Sequence, residues 1–226
     1  MSNKAVRLCI GVPSMSTWDA DFGIDLAFLT AFLTSPLHDG KHVHLSILNK
    51  RGSMLANMRE QMVQQALNEN YHYLLFIDSD QTFPHDLFHR LYKRQKQVVA
   101  CNVATKAIPS WPTARLKSDT TAGEPLFTKP GDKDLVEVWR IGTGVMLIDL
   151  NIFKRRGMVS PWFAPKWNPE LHDYSGEDWG FCEKLQECGV KLYVDHDVSQ
   201  DIGHVGKFEY KHKHVVKTHN ALKDAV

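Results

Sequence analysis

Apolar residues follow two rhythms along this chain. Short unbroken apolar runs stop at turn residues, and longer stretches repeat their apolar positions at helical spacing. Val6 to Val12 is a short run broken at Pro13-Ser14, which predicts a first strand ending in a loop. Ala20 to Leu33 suits a mostly buried helix stopped by Ser35-Pro36. His44 to Leu48 predicts a second strand. Ser53 to Leu67 predicts a helix with Leu55, Met58, Met62 and Ala66 on one face. Tyr73 to Ile77 is as apolar as a central strand and runs straight into Asp78-Ser79-Asp80. Thr82-Phe83-Pro84 then predicts another helix, with Pro84 in its first turn.

Further on, Val98 to Val103 predicts a strand. Lys106 to Lys133 reads as loop, with one short strand near Ala114 to Leu116. Leu135 to Trp139 and Val145 to Ile148 predict strands around Gly142-Thr143-Gly144. Trp162 to Tyr174 reads as an aromatic loop, Asp178 to Cys188 as a helix and Val190 to Val194 as a strand. Strand and helix alternate through the front half, which predicts an α/β fold with a mostly parallel central sheet flanked by helices. Ligands of such sheets sit at the carboxyl ends of the strands, where Pro13-Ser14 and Asp78-Ser79-Asp80 both fall.

Composition narrows the partners. The 226 residues include 27 Lys+Arg against 26 Asp+Glu, so attraction to nucleic acid or a membrane surface has to come from a local patch. Cys9, Cys101, Cys182 and Cys188 form no C-x-x-C pair and read as reduced cysteines. No stretch approaches the roughly 20 apolar residues of a membrane span, and the first twelve residues lack a secretory pattern. These features predict a soluble, cytoplasmic protein. Residues 1–206 are expected to form one domain and 207–226 a basic tail.

Candidate chemistry begins at Asp78 and Asp80. Adjacent carboxylates repel unless a proton or cation neutralises them, and hard oxygen ligands suit Mg²⁺ or Mn²⁺. A plain turn uses the same residue types. Ser175-Gly176-Glu177-Asp178-Trp179 places an acidic pair before a helix, either as a cap or as a general base. Arg59, with Arg51 just before the same helix, could reach a phosphate or carboxylate at the sheet edge. His204, between small residues in Asp201-Ile202-Gly203-His204-Val205-Gly206, is a ligand candidate among 12 histidines. Gly142 and Gly144 allow close backbone approach or a strand kink.

In order and spacing, these segments resemble the GT-A glycosyltransferases, in particular small bacterial and phage-type members and, more loosely, the Anp1-like mannosyltransferases. The matching stretches are Asn57-Met58-Arg59, Tyr73 to Asp80, Gly142 to Ile148, Gly176 to Cys182 and Gly203-His204-Val205-Gly206. The resemblance implies a Rossmann-like GT-A domain that moves a sugar from a UDP- or GDP-linked donor to an acceptor hydroxyl. It implies Asp78 and Asp80 as the D-x-D carboxylates on the cation and ribose-diphosphate, with Ser79 between them and His204 completing the metal site. Pro13 and Ser14 are then expected at the nucleotide base and ribose, Gly142, Thr143 and Gly144 along the sugar and acceptor pocket, and Asp178, with Glu177 close behind, as the base if the anomeric centre inverts or as a group orienting sugar or acceptor if configuration is retained.

The tail carries Lys207, Lys211, Lys213 and Lys217 with His212 and His214. It reads as a solvated end, a diphosphate clamp or a contact to a phosphate-rich acceptor; a glycan and a modified phage DNA base both fit as acceptor. Three other activities compete. A nucleotidyltransferase normally has a basic glycine-rich loop, and Pro13 to Asp21 has no Lys or Arg. A metal hydrolase could draw on His42, His44, Asp195, His196 and Asp197, which share no ligand spacing. A silent nucleotide-sugar binding module is the third.

Overall fold

The computed structural model describes residues 5–169 and 172–207. Lys211, His212, Lys213, His214 and Lys217 lie outside the described residues. Seven strands form the central sheet: β1 (Val6–Ser14), β2 (Val43–Arg51), β3 (Tyr73–Ile77), β4 (Val98–Ala100), β5 (Leu135–Val138), β6 (Val145–Asp149) and β7 (Leu192–Asp195). Their spatial order is β2-β1-β3-β6-β4-β7-β5. Five strands run one way, while β6 and β5 run against their neighbours.

Helices cover both faces. α2 (Leu55–Asn68) and α4 (Glu177–Glu187) pack on one, and α1 (Ala20–Phe32), α3 (Leu87–Lys93) and α5 (His196–Ser199) on the other. Successive side chains of a strand point to opposite faces. Leu74 and Phe76 of β3 accordingly join the α2/α4 core, whereas Leu75 and Ile77 join the α1/α3 core. Met146 and Ile148 of β6 divide from Val145 and Leu147 in the same way. Burial on both faces explains why these strands are apolar without alternation.

Two departures from the sequence expectation shape the site. Inserting antiparallel β6 between β3 and β4 places its first residues at the carboxyl ends of its neighbours. Gly144 therefore lies beside Asp78, whose N–H donates to the Gly144 carbonyl at 2.8 Å. The helix expected to open at Thr82-Phe83-Pro84 starts only at Leu87. Gln81 and Thr82 instead pair antiparallel with His204 and Gly203, and the Phe83 N–H donates to Asp25 Oδ2 at 2.9 Å. Those bonds tie the segment down as extended chain and draw His204 toward Asp80. Smaller differences are a strand pairing of Trp167 and Asn168 with Tyr174 and Asp173 inside the expected aromatic loop, and a start of α4 one residue early, at Glu177.

Candidate active site

A cavity of about 280 Å³ opens at the carboxyl edge of β1 and β3, lined by Pro13, Ser14, Gly52, Met58, Asp78, Ser79, Asp80 and His204 among others. Ser14 is buried, and its Oγ accepts from Asn49 Nδ2 at 2.9 Å. Asn49 also donates to the Val12 carbonyl, so it locks the end of β1 to β2.

Arg59 on α2 is 1% exposed. Its Nη2 donates to Asp78 Oδ1 at 2.8 Å, and its Nη1 donates to Glu177 Oε1. One buried guanidinium thus joins the end of β3 to the start of α4. A buried charge is tolerated when paired in this way, and losing one partner of such a group typically costs about 3–5 kcal/mol. The alternative of a solvated helix charge is excluded for Arg59. Arg51 is exposed, and its Nε donates to Asn49 Oδ1 at 3.4 Å.

Asp178 is partly buried, and its Oδ1 accepts from the Trp179 N–H at 2.7 Å. Burial, with the neighbouring charge of Glu177, pushes its carboxyl up to about 6, against the opposing pull of that N–H and Arg59. Asp80 moves the other way. Burial disfavours its charge, yet a protonated His204 imidazole and the Lys106 ammonium outweigh that and bring the carboxyl down to about 2.

The bonding of His204 fixes its tautomer. Nδ1 lies 2.7 Å from the Ala104 carbonyl, which only accepts, so Nδ1 carries the proton. In the neutral ring, Nε2 then presents a lone pair to Asp80 Oδ1, 3.5 Å away. Two acceptors facing each other at that distance fit a proton or a cation between them. Lys106 Nζ pairs with the other Asp80 oxygen, and its stem runs over Gly206, where an added Cβ would meet Lys106 Cδ at 3.1 Å.

Among the described residues, Asp78, Asp80 and Glu177 pair with Arg59 and Lys106 as cations, and Asp178 adds a fourth carboxyl group. With Asp178 ionised, two negative charges remain, which suits a divalent ion. Asp78, Asp80 and His204 line one cavity, with one Asp78 oxygen engaged by Arg59 and one Asp80 oxygen by Lys106; Asp80 Oδ1 and His204 Nε2 would be the facing donors for such an ion. Among the described residues, no three His, Cys, Asp or Glu side chains gather at metal-ligand spacing.

The glycine segment splits. Gly144 sits against Asp78, with an added Cβ at 3.4 Å from Asp78 Oδ2. Gly142 packs on Thr113 instead, and Thr143 is buried with its Oγ1 unpaired among the described residues. Lys207 is exposed. Lys106 and Asn49 escaped the sequence reading. Of the residues considered for a hydrolase, Asp195 is buried against Arg94, and His196 Nδ1 lies 2.7 Å from Thr128 Oγ1.

Neither a family model nor a curated protein matches the sequence. Solved structures do match. Protein A197 of the virus STIV aligns with a TM-score of 0.54 at 18% identity, over 92% of this chain and 100% of that one. The catalytic domain of Drosophila β1,4-galactosyltransferase 7, in complex with xylobiose, aligns with a TM-score of 0.50 at 16% identity, over 90% of this chain and 72% of that one. A mutant of the same enzyme, in complex with manganese, UDP-Gal and xylobiose, gives 0.50 at 14% identity, over 93% and 79%. The fold is of the GT-A type: a Rossmann-like α/β domain with a mostly parallel central sheet flanked by helices. Among the described residues, no helix is long and apolar enough to cross a membrane.

Proposed function

We propose that the protein is a metal-dependent glycosyltransferase that moves a sugar from a UDP- or GDP-linked donor to an acceptor hydroxyl with inversion. One observation supports this above the others. The Asp80–His204 acceptor pair shares the cavity edge with Pro13 and Ser14, while Arg59 ties Asp78 to the segment bearing Asp178. A donor site and a base would then be fixed to one rigid frame.

Asp80 and His204 would hold Mn²⁺ or Mg²⁺, which when bound neutralises charge growing on a departing diphosphate. Pro13 and Ser14 take the base and ribose, and Asp78, fixed by Arg59, faces the ribose-diphosphate with Ser79 at the turn. Lys106, released from Asp80, donates to a phosphate oxygen. Gly144 leaves room for the donor sugar beside Asp78. Asp178, with a pKa of about 6, is ionised at neutral pH and takes the proton of the acceptor hydroxyl. Glu177 holds the other end of the Arg59 bridge.

Titrating UDP and GDP calorimetrically, with and without Mn²⁺, tests the donor half. Binding of one nucleotide that requires the metal supports the proposal, and equal binding without metal counts against it. Slow hydrolysis of a matching nucleotide-sugar would separate an enzyme from a silent binding module.

A further inference from the structure

Ala104, whose carbonyl accepts from His204, lines a second cavity of about 450 Å³, inside the range of about 300–1,000 Å³ usual for small-molecule sites. The His204 imidazole connects to this space through Ala104. Its Nε2 faces Asp80, its Nδ1 donates to the Ala104 carbonyl, and Ala104 lines the second space.

Two large rings form one wall. Trp111 is 47% exposed and Phe127 is 52% exposed, with centroids 6.4 Å apart and planes inclined by 44°. Asn102, Thr128, Ser199 and Gln200 also line it, with their side-chain amides and hydroxyls bonded to the surrounding chain. Among the described residues, no Asp, Glu, Lys or Arg lines it. The walls are fixed before any ligand arrives. The Thr105 N–H donates to the Trp111 carbonyl at 2.8 Å, and the Trp111 N–H donates to Thr105 Oγ1 at 2.9 Å, closing that loop on itself. Buried Asn102 donates from Nδ2 to both the Leu126 carbonyl and Thr128 Oγ1, which brackets Phe127. Gln200 ties the next turn through the Gly131 N–H and the Asp132 carbonyl.

A pre-set aromatic wall facing neutral polar side chains selects for its ligand. Among the described residues the lining offers an anion no cation, which disfavours a diphosphate or a nucleic-acid backbone on these walls. Sugar rings are uncharged and offer apolar C–H faces for stacking on Trp111 and Phe127, the two large rings that stay exposed here. We propose that this cavity binds an uncharged saccharide ring of the acceptor, its face laid on Trp111 and Phe127. The inference rests on the transferase reading above and names its acceptor as a neutral glycan.

The test uses the full chain with cellobiose, maltose, lactose, xylobiose and chitobiose, followed by saturation-transfer NMR. At least one disaccharide is expected to bind, with contacts to the Trp111 indole in the unmodified protein. Trp111→Ala and Phe127→Ala should each weaken it by about fivefold or more, while Asp80→Ala leaves it unchanged. Both aromatic variants should keep metal-dependent nucleotide binding, so failure here stays distinct from failure of the donor site. Absence of binding by all five sugars, equal binding in both aromatic variants, or capture of a thymidine dinucleotide in their place would overturn the proposal.

Discussion

Nε2 of His204 faces Oδ1 of Asp80 at 3.5 Å, with Nδ1 of the same ring committed as a donor to the Ala104 carbonyl. Neither atom of the facing pair supplies a proton when the imidazole is neutral. His204→Ala and Asp80→Ala are both expected to remove a Mn²⁺-dependent rise in melting temperature while leaving the metal-free fold intact. A thermal-shift series checks this, and a variant that still responds to metal as the parent does would break the assignment.

Lys106 competes for the same carboxylate. Lys106→Met should strengthen Mn²⁺ binding in the absence of nucleotide, because Asp80 loses a resident cation. It should also weaken nucleoside-diphosphate binding, if the lysine moves to phosphate. Calorimetry reads both directions, and weaker metal binding in Lys106→Met would contradict the competition.

Asp178 gives a pH prediction with a defined sign. Its folded pKa of about 6 lies above the ordinary 3.8, so the folded state favours the protonated form. That contribution is present in full below about pH 3.8 and is lost as pH rises through about 6. Asp178→Asn should therefore raise the melting temperature at pH 7, with the gain shrinking toward pH 4. Activity should show the opposite need, with an acid limb near pH 6 in kcat/KM and loss in the Asn variant. A variant no more stable than the parent at pH 7 would deny the burial argument.

Arg59 is the structural hinge of the account. Arg59→Ala leaves Asp78 and Glu177 facing each other's region without their shared cation, and should cost about 3–5 kcal/mol of stability. Adding Glu177→Gln should recover part of that loss in chemical denaturation. A cost under about 1 kcal/mol would place the bridge among the weak surface pairs.

Much of this arrangement was legible in the sequence, for identifiable reasons. β1 and β3 are buried on both faces, so their apolar runs and the polar residues that end them stand out. The antiparallel direction of β6 was not legible, because a run such as Val145 to Ile148 reads the same in either direction. Pro84 suggested an early helix start, yet Gln81 and Thr82 have their backbone groups taken by Gly203 and His204, over a hundred residues away. Local propensity does not contain such a pairing. Arg59 was visible as a candidate near an apolar helical face, but its two carboxylate partners were not. Lys106, in a loop without periodicity, gave no signal that it reaches Asp80.

The most direct test is Mn²⁺ binding by the full chain, followed by electron paramagnetic resonance with UDP and then GDP, in the parent and in His204→Ala. A ion held by Asp80 and His204 predicts that one nucleotide increases bound Mn²⁺ in the parent and that His204→Ala loses most of that bound fraction. Equal Mn²⁺ occupancy in both proteins, with or without nucleotide, would contradict the account.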